Sequence, residues 1–123
     1  AGGGTWADAA SNYNVAIGNY SMDAAMNGAL RNTAIGYAAL SALTQGDNNV
    51  AIGESAGIAV TTGYSNTMVG WNANLSLTTG YNNVSIGTNT LNSNNSGYEK
   101  NSIGNKRKTS HKSKFSKRRY SLR

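Results

Sequence analysis

Side chains able to carry out catalysis or to bind a metal are scarce in this chain and do not converge. The chain has no cysteine, and its one histidine, His111, lies among lysines and arginines without a carboxylate neighbour. The acids before residue 99 occupy different positions of the repeat described below, so they do not form a pair for general acid–base catalysis. These acids are Asp8, Asp23, Asp47 and Glu54. Serines and threonines lack a partner base, and we predict no catalytic residue, no metal site, no cofactor and no enzymatic activity.

Positive charge is the strongest chemical signal, and it is confined to the end of the chain. Residues 99–123 contain ten of the eleven lysines and arginines but one acid, Glu99, which gives them a net charge of +9. Residues 1–98 contain Arg31 and four acids, a net charge of −3. The net charge of +6 therefore describes a basic segment attached to a slightly acidic body.

The basic segment, residues 105–123, is predicted to bind a partner. Its cations are interleaved with Phe115 and Tyr120, so it can dock on an acidic protein surface, or neutralise phosphates and stack on bases. We expect an acidic surface of another assembly protein, with nucleic acid as the weaker alternative and a solvated tail as the third. The predicted partner-binding residues are Lys106, Arg107, Lys108, Lys112, Lys114, Phe115, Lys117, Arg118, Arg119, Tyr120 and Arg123.

The rest of the chain is built from a short repeat. Six tripeptides of the type Ala-Ile-Gly recur with evenly spaced glycines, except for a single inserted residue between the first glycine and the second. An asparagine stands four positions before five of these glycines, and Lys100 takes the sixth asparagine position. The glycines are Gly18, Gly36, Gly53, Gly70, Gly87 and Gly104, and the asparagines are Asn14, Asn32, Asn49, Asn66 and Asn83.

The composition of each unit indicates a short β-strand that gains its partners by stacking. In Val15-Ala16-Ile17 and its equivalents the first and third positions are mostly β-branched and the second is mostly small, the two-residue period of a strand. The glycine permits a backbone angle or a close approach that a Cβ forbids. Identical amides stacked about 4.7–4.8 Å apart can hydrogen-bond along the stack. A unit of this size buries its apolar face only against its neighbours.

The sequence therefore predicts an all-β fold, a parallel β-solenoid of the β-roll or β-helix type with about six 17-residue rungs. The predicted organisation is an N-terminal lead-in or cap over residues 1–11, the solenoid over residues 12–104 and a basic C-terminal tail over residues 105–123. Tyr64, Tyr81 and Tyr98 recur with the period of the repeat. We expect them to stack across rungs, with sugar binding as the alternative.

The units NTAIGYAAL (32–40), NNVAIGESAG (48–57) and NNVSIGTNTL (82–91) resemble repeats of bacteriophage tail fibres and related viral fibres. They are also similar to the head repeats of trimeric autotransporter adhesins, which carry a comparable xAIG core. The resemblance implies a homotrimer of β-rolls or a β-solenoid shaft that is built for rigidity. The 17-residue rung is longer than the usual rung of an adhesin head.

The residues themselves also favour a homotrimer. Each unit offers few aliphatic side chains for burial, which makes a thin core for a domain of this size. The small second position of each motif suits a close contact with a neighbouring chain, and cyclic symmetry is the common arrangement of such contacts. The alternative is a monomeric solenoid in which these small residues face a second strand.

The expected function is that of a non-enzymatic structural fibre or spike component of a virion, with the solenoid as projecting shaft and the tail as attachment segment. The first alternative is a bacterial surface adhesin head fragment, located at the cell surface, and the second is a nucleic-acid-binding module that acts through the tail. Expected partners are further copies of the chain, acidic assembly proteins and a host-surface glycan or receptor. No apolar run approaches the length of a bilayer-spanning helix, so we expect no membrane contact.

Overall fold

One short β-strand forms in every turn of the repeat. The computed structural model describes residues 11–104, and this part of the chain contains six strands and no helix. The strands are β1 (Val15–Ile17), β2 (Thr33–Ile35), β3 (Val50–Ile52), β4 (Thr67–Val69), β5 (Val84–Ile86) and β6 (Asn101–Ile103). The lead-in predicted over residues 1–11 lies outside the described residues except for Ser11, and the basic tail lies wholly outside them.

All six strands belong to one parallel sheet whose order is the order of the chain. The register follows the repeat, because the middle residue of each strand pairs with the middle residue of the next, as in Ala34 with Ala51 and Ala51 with Met68. The chain therefore winds through about five turns of roughly 17 residues. The predicted parallel β-solenoid is confirmed.

The small middle residues of the strands point into the solenoid, whereas the sequence analysis expects them to contact a neighbouring chain. The middle residues Ala34, Ala51, Met68 and Ser85 are fully buried inside the chain's own solenoid. The prediction that this small position contacts a neighbouring chain is therefore wrong. The interior is narrow and is already occupied by larger side chains from the opposite wall, so only small residues fit along most of the strand wall. These larger side chains are Leu40, Leu43, Val60 and Leu77.

One exchange of volume across the interior shows how tightly the two walls are matched. Met68 is the one large residue among the middle positions of the six strands, and it lies against Gly57. A Cβ added to Gly57 would lie 2.8 Å from the Met68 sulfur and 3.1 Å from a terminal carbon of Leu40. The longer side chain on one wall is thus accommodated by a glycine on the other.

Buried polar side chains without a hydrogen-bond partner occur in the later of the described turns. Asn74 and Ser85 are fully buried, and neither the side-chain amide atoms of Asn74 nor the Ser85 hydroxyl hydrogen-bond to any part of the described chain. The side-chain amide nitrogen of Asn94 is also buried and has no hydrogen-bond partner among the described residues. Because an unpaired buried polar group lowers stability, the turns that contain β4–β6 are expected to be less stable than those of β2 and β3.

The glycine that follows each strand is required for two separate reasons. Gly53 has a φ of +130°, in a region that side-chain-bearing residues rarely adopt. A Cβ on Gly53 would also lie 2.8 Å from both the carbonyl carbon and the carbonyl oxygen of Gly70 on the next turn. Neither backbone atom can move without displacing a whole turn, so this column sets how closely successive turns approach.

Gly53→Ala is expected to destabilise the protein by more than about 3 kcal/mol, because dihedral strain and a backbone collision act together. Gly104→Ala is the matched control. Gly104 has a φ of +114°, but a Cβ there meets no atom of the described residues within 4 Å. Its substitution should cost only the dihedral strain, about 1–2 kcal/mol. Urea denaturation followed by circular dichroism measures both, and equal losses would show that close approach of the turns is unimportant.

Candidate functional site

An uncharged aliphatic surface runs along the outside of the sheet. The first and third residues of every strand point away from the interior, and none of them is charged. Val15, Ile17, Ile52 and Ile86 are between 36% and 57% exposed, although β-branched aliphatic residues are usually buried. We call this surface the outer strand face. It comprises Val15, Ile17, Thr33, Ile35, Val50, Ile52, Thr67, Val69, Val84, Ile86, Asn101 and Ile103.

The outer strand face is continuous because the strands are parallel and in register. Ile17 pairs with Ile35 and Ile35 with Ile52, and the same column continues through Val69 and Ile86 to Ile103. Strand geometry places every third-position side chain directly above the next, about 4.8 Å apart. Scattered exposed aliphatic residues are normal, but a contiguous apolar surface of this kind marks an interaction site. It is the strongest candidate functional surface among residues 11–104.

The asparagine column lies inside the solenoid and links each turn to the next. The backbone N–H and the Nδ2 of Asn49 both donate to Oδ1 of Asn32, at 2.9 and 3.0 Å. Asn66 donates in the same way to Asn49, and Asn83 to Asn66. The same Nδ2 atoms, and that of Asn32, also donate at 2.9 Å to the carbonyl of a glycine in the following turn. Those glycines are Gly46, Gly63, Gly80 and Gly97.

Asn14 and Lys100 stand at the two ends of the asparagine column. At the first turn, Nδ2 of Asn14 donates to the Ala29 carbonyl at 2.9 Å. At the last turn, the backbone N–H of Lys100 donates to Oδ1 of Asn83 at 3.0 Å. The backbone N–H of Lys100 thus makes the same hydrogen bond that the backbone N–H of each asparagine makes in the earlier turns.

Asn66→Ala is expected to destabilise the protein by about 3–5 kcal/mol. The substitution removes the donor to the Gly80 carbonyl and the acceptor of both Asn83 donors, which leaves buried polar groups unpaired. Asn95→Ala is the control, because Asn95 is exposed and its substitution should change stability by less than about 0.5 kcal/mol. Urea midpoints measure both variants, and similar midpoints would contradict a stabilising role for the column.

Three tyrosines form a parallel stack on the outside of the later turns. The ring centroids of Tyr64 and Tyr81 are 4.8 Å apart with planes 1° apart, and those of Tyr81 and Tyr98 are 5.1 Å and 7°. Loss of solvation in the stack, followed by the electrostatic effects of Tyr64, Tyr98 and Glu99, raises the pKa of Tyr81 above its ordinary value. Because neighbouring rings cover both faces of Tyr81, a sugar ring cannot stack on Tyr81.

Neither a metal site nor a membrane-spanning helix is found between residues 11 and 104. No three side chains of the His, Cys, Asp or Glu type come together in this part of the chain. The same residues contain no helix long and apolar enough to cross a membrane. The predicted partner-binding residues of the tail, from Lys106 to Arg123, lie outside the described residues.

The orientation of the outer strand face is the functional feature that sequence reasoning missed. The alternation of large and small residues in Val50-Ala51-Ile52 is compatible with either face pointing inward. The signal that decides between them is the series of leucines and valines that follows each motif, since these side chains fill the interior.

Comparisons with protein-family models, with curated protein sequences and with solved structures find no match for this chain.

Proposed function

We propose that this protein is a non-enzymatic structural component of a fibre or spike, and that it assembles as a homotrimer through the outer strand face. The observation that carries the proposal is the continuous, uncharged column formed by Ile17, Ile35, Ile52, Val69 and Ile86 on the outside of a solenoid. Removing this apolar surface from water is favourable, at about 25 cal/mol per Å². A further copy of the chain supplies a matching surface of the same shape.

Cyclic symmetry suits this surface because the column runs along the direction in which the turns stack. A rotation axis parallel to the stack brings equivalent turns of each copy to the same height, so that each isoleucine packs on its own equivalent and Val69 on Val69. The resemblance of the repeats to trimeric adhesin heads and viral fibres supports three copies rather than two. In this arrangement the small middle residues fill each protomer and the β-branched residues fill the space between protomers.

A rigid spacer is the role best supported by the internal structure. Five turns at about 4.8 Å each give a stack of about 24 Å, in which backbone hydrogen bonds and the asparagine column connect every turn to its neighbours. The sequence also lacks the reactive groups that an enzyme needs. Location on a virion is supported by the resemblance to tail-fibre repeats. A bacterial surface adhesin is the alternative, and it would use the same trimer.

Ile52→Lys is expected to convert the trimer to a monomer without unfolding it, because a charge would be buried between protomers. Its circular dichroism should remain that of the original protein. Thr62→Lys is the matched control, since Thr62 is exposed in a turn away from the outer strand face. Sedimentation at micromolar concentration measures the result. A monomeric original protein, or a trimer that persists in Ile52→Lys, would contradict the proposed interface.

The basic tail is proposed to attach the solenoid to an acidic surface of another assembly protein. The proposal is supported by the contrast between the +9 charge of residues 99–123 and the −3 charge of residues 1–98. Basic segments give fast, salt-sensitive encounter with acidic partners. Three tails in a trimer would act together and raise the avidity by about 10²–10⁴.

Truncation after Gly104 should leave the oligomer and its β-rich circular dichroism unchanged but abolish incorporation into the parent particle. Normal incorporation of the truncated chain would contradict the role of the tail. A parallel measurement of DNA binding by the full chain distinguishes the nucleic-acid alternative. That alternative predicts DNA binding that weakens by orders of magnitude between low and moderate salt, because it depends on phosphate contacts. The fibre trimer should instead survive high salt.

A further inference from the structure

A groove opens on the outside of the first turns, beyond the glycine bend that separates it from the outer strand face. Its volume is about 420 Å³, and the residues that line it include Tyr20, Asp23, Tyr37, Ser41 and Ile58. Aromatic and aliphatic residues with a small number of polar ones are typical of a binding site for a small ligand. Neither the asparagine column nor the proposed trimer uses these side chains.

The two tyrosines of the groove are arranged differently from the tyrosine stack. The centroids of Tyr20 and Tyr37 are 5.4 Å apart, and their planes are 80° apart. In an edge-to-face pair the ring that contributes its edge keeps both of its faces uncovered by its partner. In the parallel stack both faces of Tyr81 are covered. As whole residues, Tyr20 and Tyr37 are 55% and 51% exposed, so a ligand can reach an aromatic face here.

The unusual geometry has its origin in the length of the first turn. Tyr20 and Tyr37 are separated by one ordinary period of the repeat, whereas the motif glycines of their two turns, Gly18 and Gly36, are separated by one period and an extra residue. The two rings therefore occupy neighbouring columns instead of the same column. Ala38 donates its N–H to the Asn19 carbonyl, and Ser55 donates to the Tyr37 carbonyl, which places Tyr37 in line with Asn19 and Glu54. The extra residue thus creates a crossed pair of rings.

The charges around the groove are negative. Asp23 lines it, and the exposed Glu54 follows Tyr37 in the same column on the next turn. Between residues 11 and 104 the cations are Arg31 and Lys100. Arg31 donates from Nε to Asn48 on another edge of the turn, and Lys100 belongs to the last turn. An aromatic face carries negative potential, and nearby carboxylates increase it, so this combination attracts an organic cation.

We propose that the groove lined by Tyr20, Asp23 and Tyr37 binds an organic ammonium group, either the quaternary ammonium of a choline-type head group or the ammonium of a lysine side chain. The tyrosine faces contact the methyl or methylene groups next to the positive nitrogen, and the Asp23 carboxylate pairs with its charge. Ala24 and Ile58 provide apolar contact for the carbon atoms of the ligand. This binding site does not depend on the proposed trimer or on the tail.

The test is a titration of the full chain, labelled with ¹⁵N, monitored by NMR. Choline and Nα-acetyl-lysine methylamide are the two cationic probes, and the probe with the higher affinity identifies the source of the ammonium group. The neutral isostere 3,3-dimethylbutan-1-ol and methyl glucoside are the controls. We expect choline or the lysine derivative to shift signals of residues 20–24 and 37–41 but not those of residues 81–98. The neutral isostere should bind at least about fivefold more weakly.

Variants localise the effect to the groove. Tyr37→Leu and Asp23→Asn should each weaken binding of the cation by about fivefold or more, while circular dichroism remains unchanged. Tyr98→Leu removes an exposed tyrosine outside the groove and should leave the affinity unchanged. The proposal is overturned if neither cation shifts these signals at tens of millimolar. Equal binding of the neutral isostere or the glucoside would overturn it as well, and a preference for the glucoside would indicate a sugar site instead.

Discussion

The hydrogen bonds of the buried asparagine amides are the constraint on which the rest of this structure depends. In the middle of the column, each amide oxygen accepts two hydrogen bonds from the next turn. Each amide nitrogen donates to the amide oxygen of the preceding turn and to a glycine carbonyl of the next turn. A single side chain therefore links three successive turns. The alternative for an amide at this depth is an unpaired polar group, which is costly. The column consequently determines the height and the register of every turn.

The remaining regularities follow from that fixed spacing. Turns held at one height bring Gly53 and Gly70 so close that a Cβ cannot fit, and they allow Tyr64, Tyr81 and Tyr98 to stack as parallel rings. The same spacing makes the interior narrow. The large side chains of the wall opposite the strands fill most of this interior. The β-branched residues of the strands therefore lie outside. A surplus of apolar surface is thus a consequence of the small cross-section, and association with further copies is the natural way to bury it.

Much of this architecture can be predicted from the sequence, since the regular period indicates stacked turns and the motif glycines locate the ends of the strands. The direction of Ala51 and Ile52 cannot be predicted in the same way. A two-residue alternation defines two faces, but the width of the turn decides which face is inside. That width depends on Leu40, Leu43 and Val60, which lie outside the motif. The crossed pair of Tyr20 and Tyr37 was missed for a related reason, because it arises from a local departure from the period.

The central claim is tested most directly by hydrogen exchange of the asparagine side-chain amides, measured by NMR in the folded protein. If the column holds the turns together, the Nδ2 protons of Asn49 and Asn66 should exchange only when the solenoid unfolds. Their exchange should then accelerate with urea to the same extent as that of the slowest backbone amides. The exposed amide of Asn95 should exchange rapidly in the same spectra. Exchange of Asn49 and Asn66 at the rate of Asn95 would contradict the account.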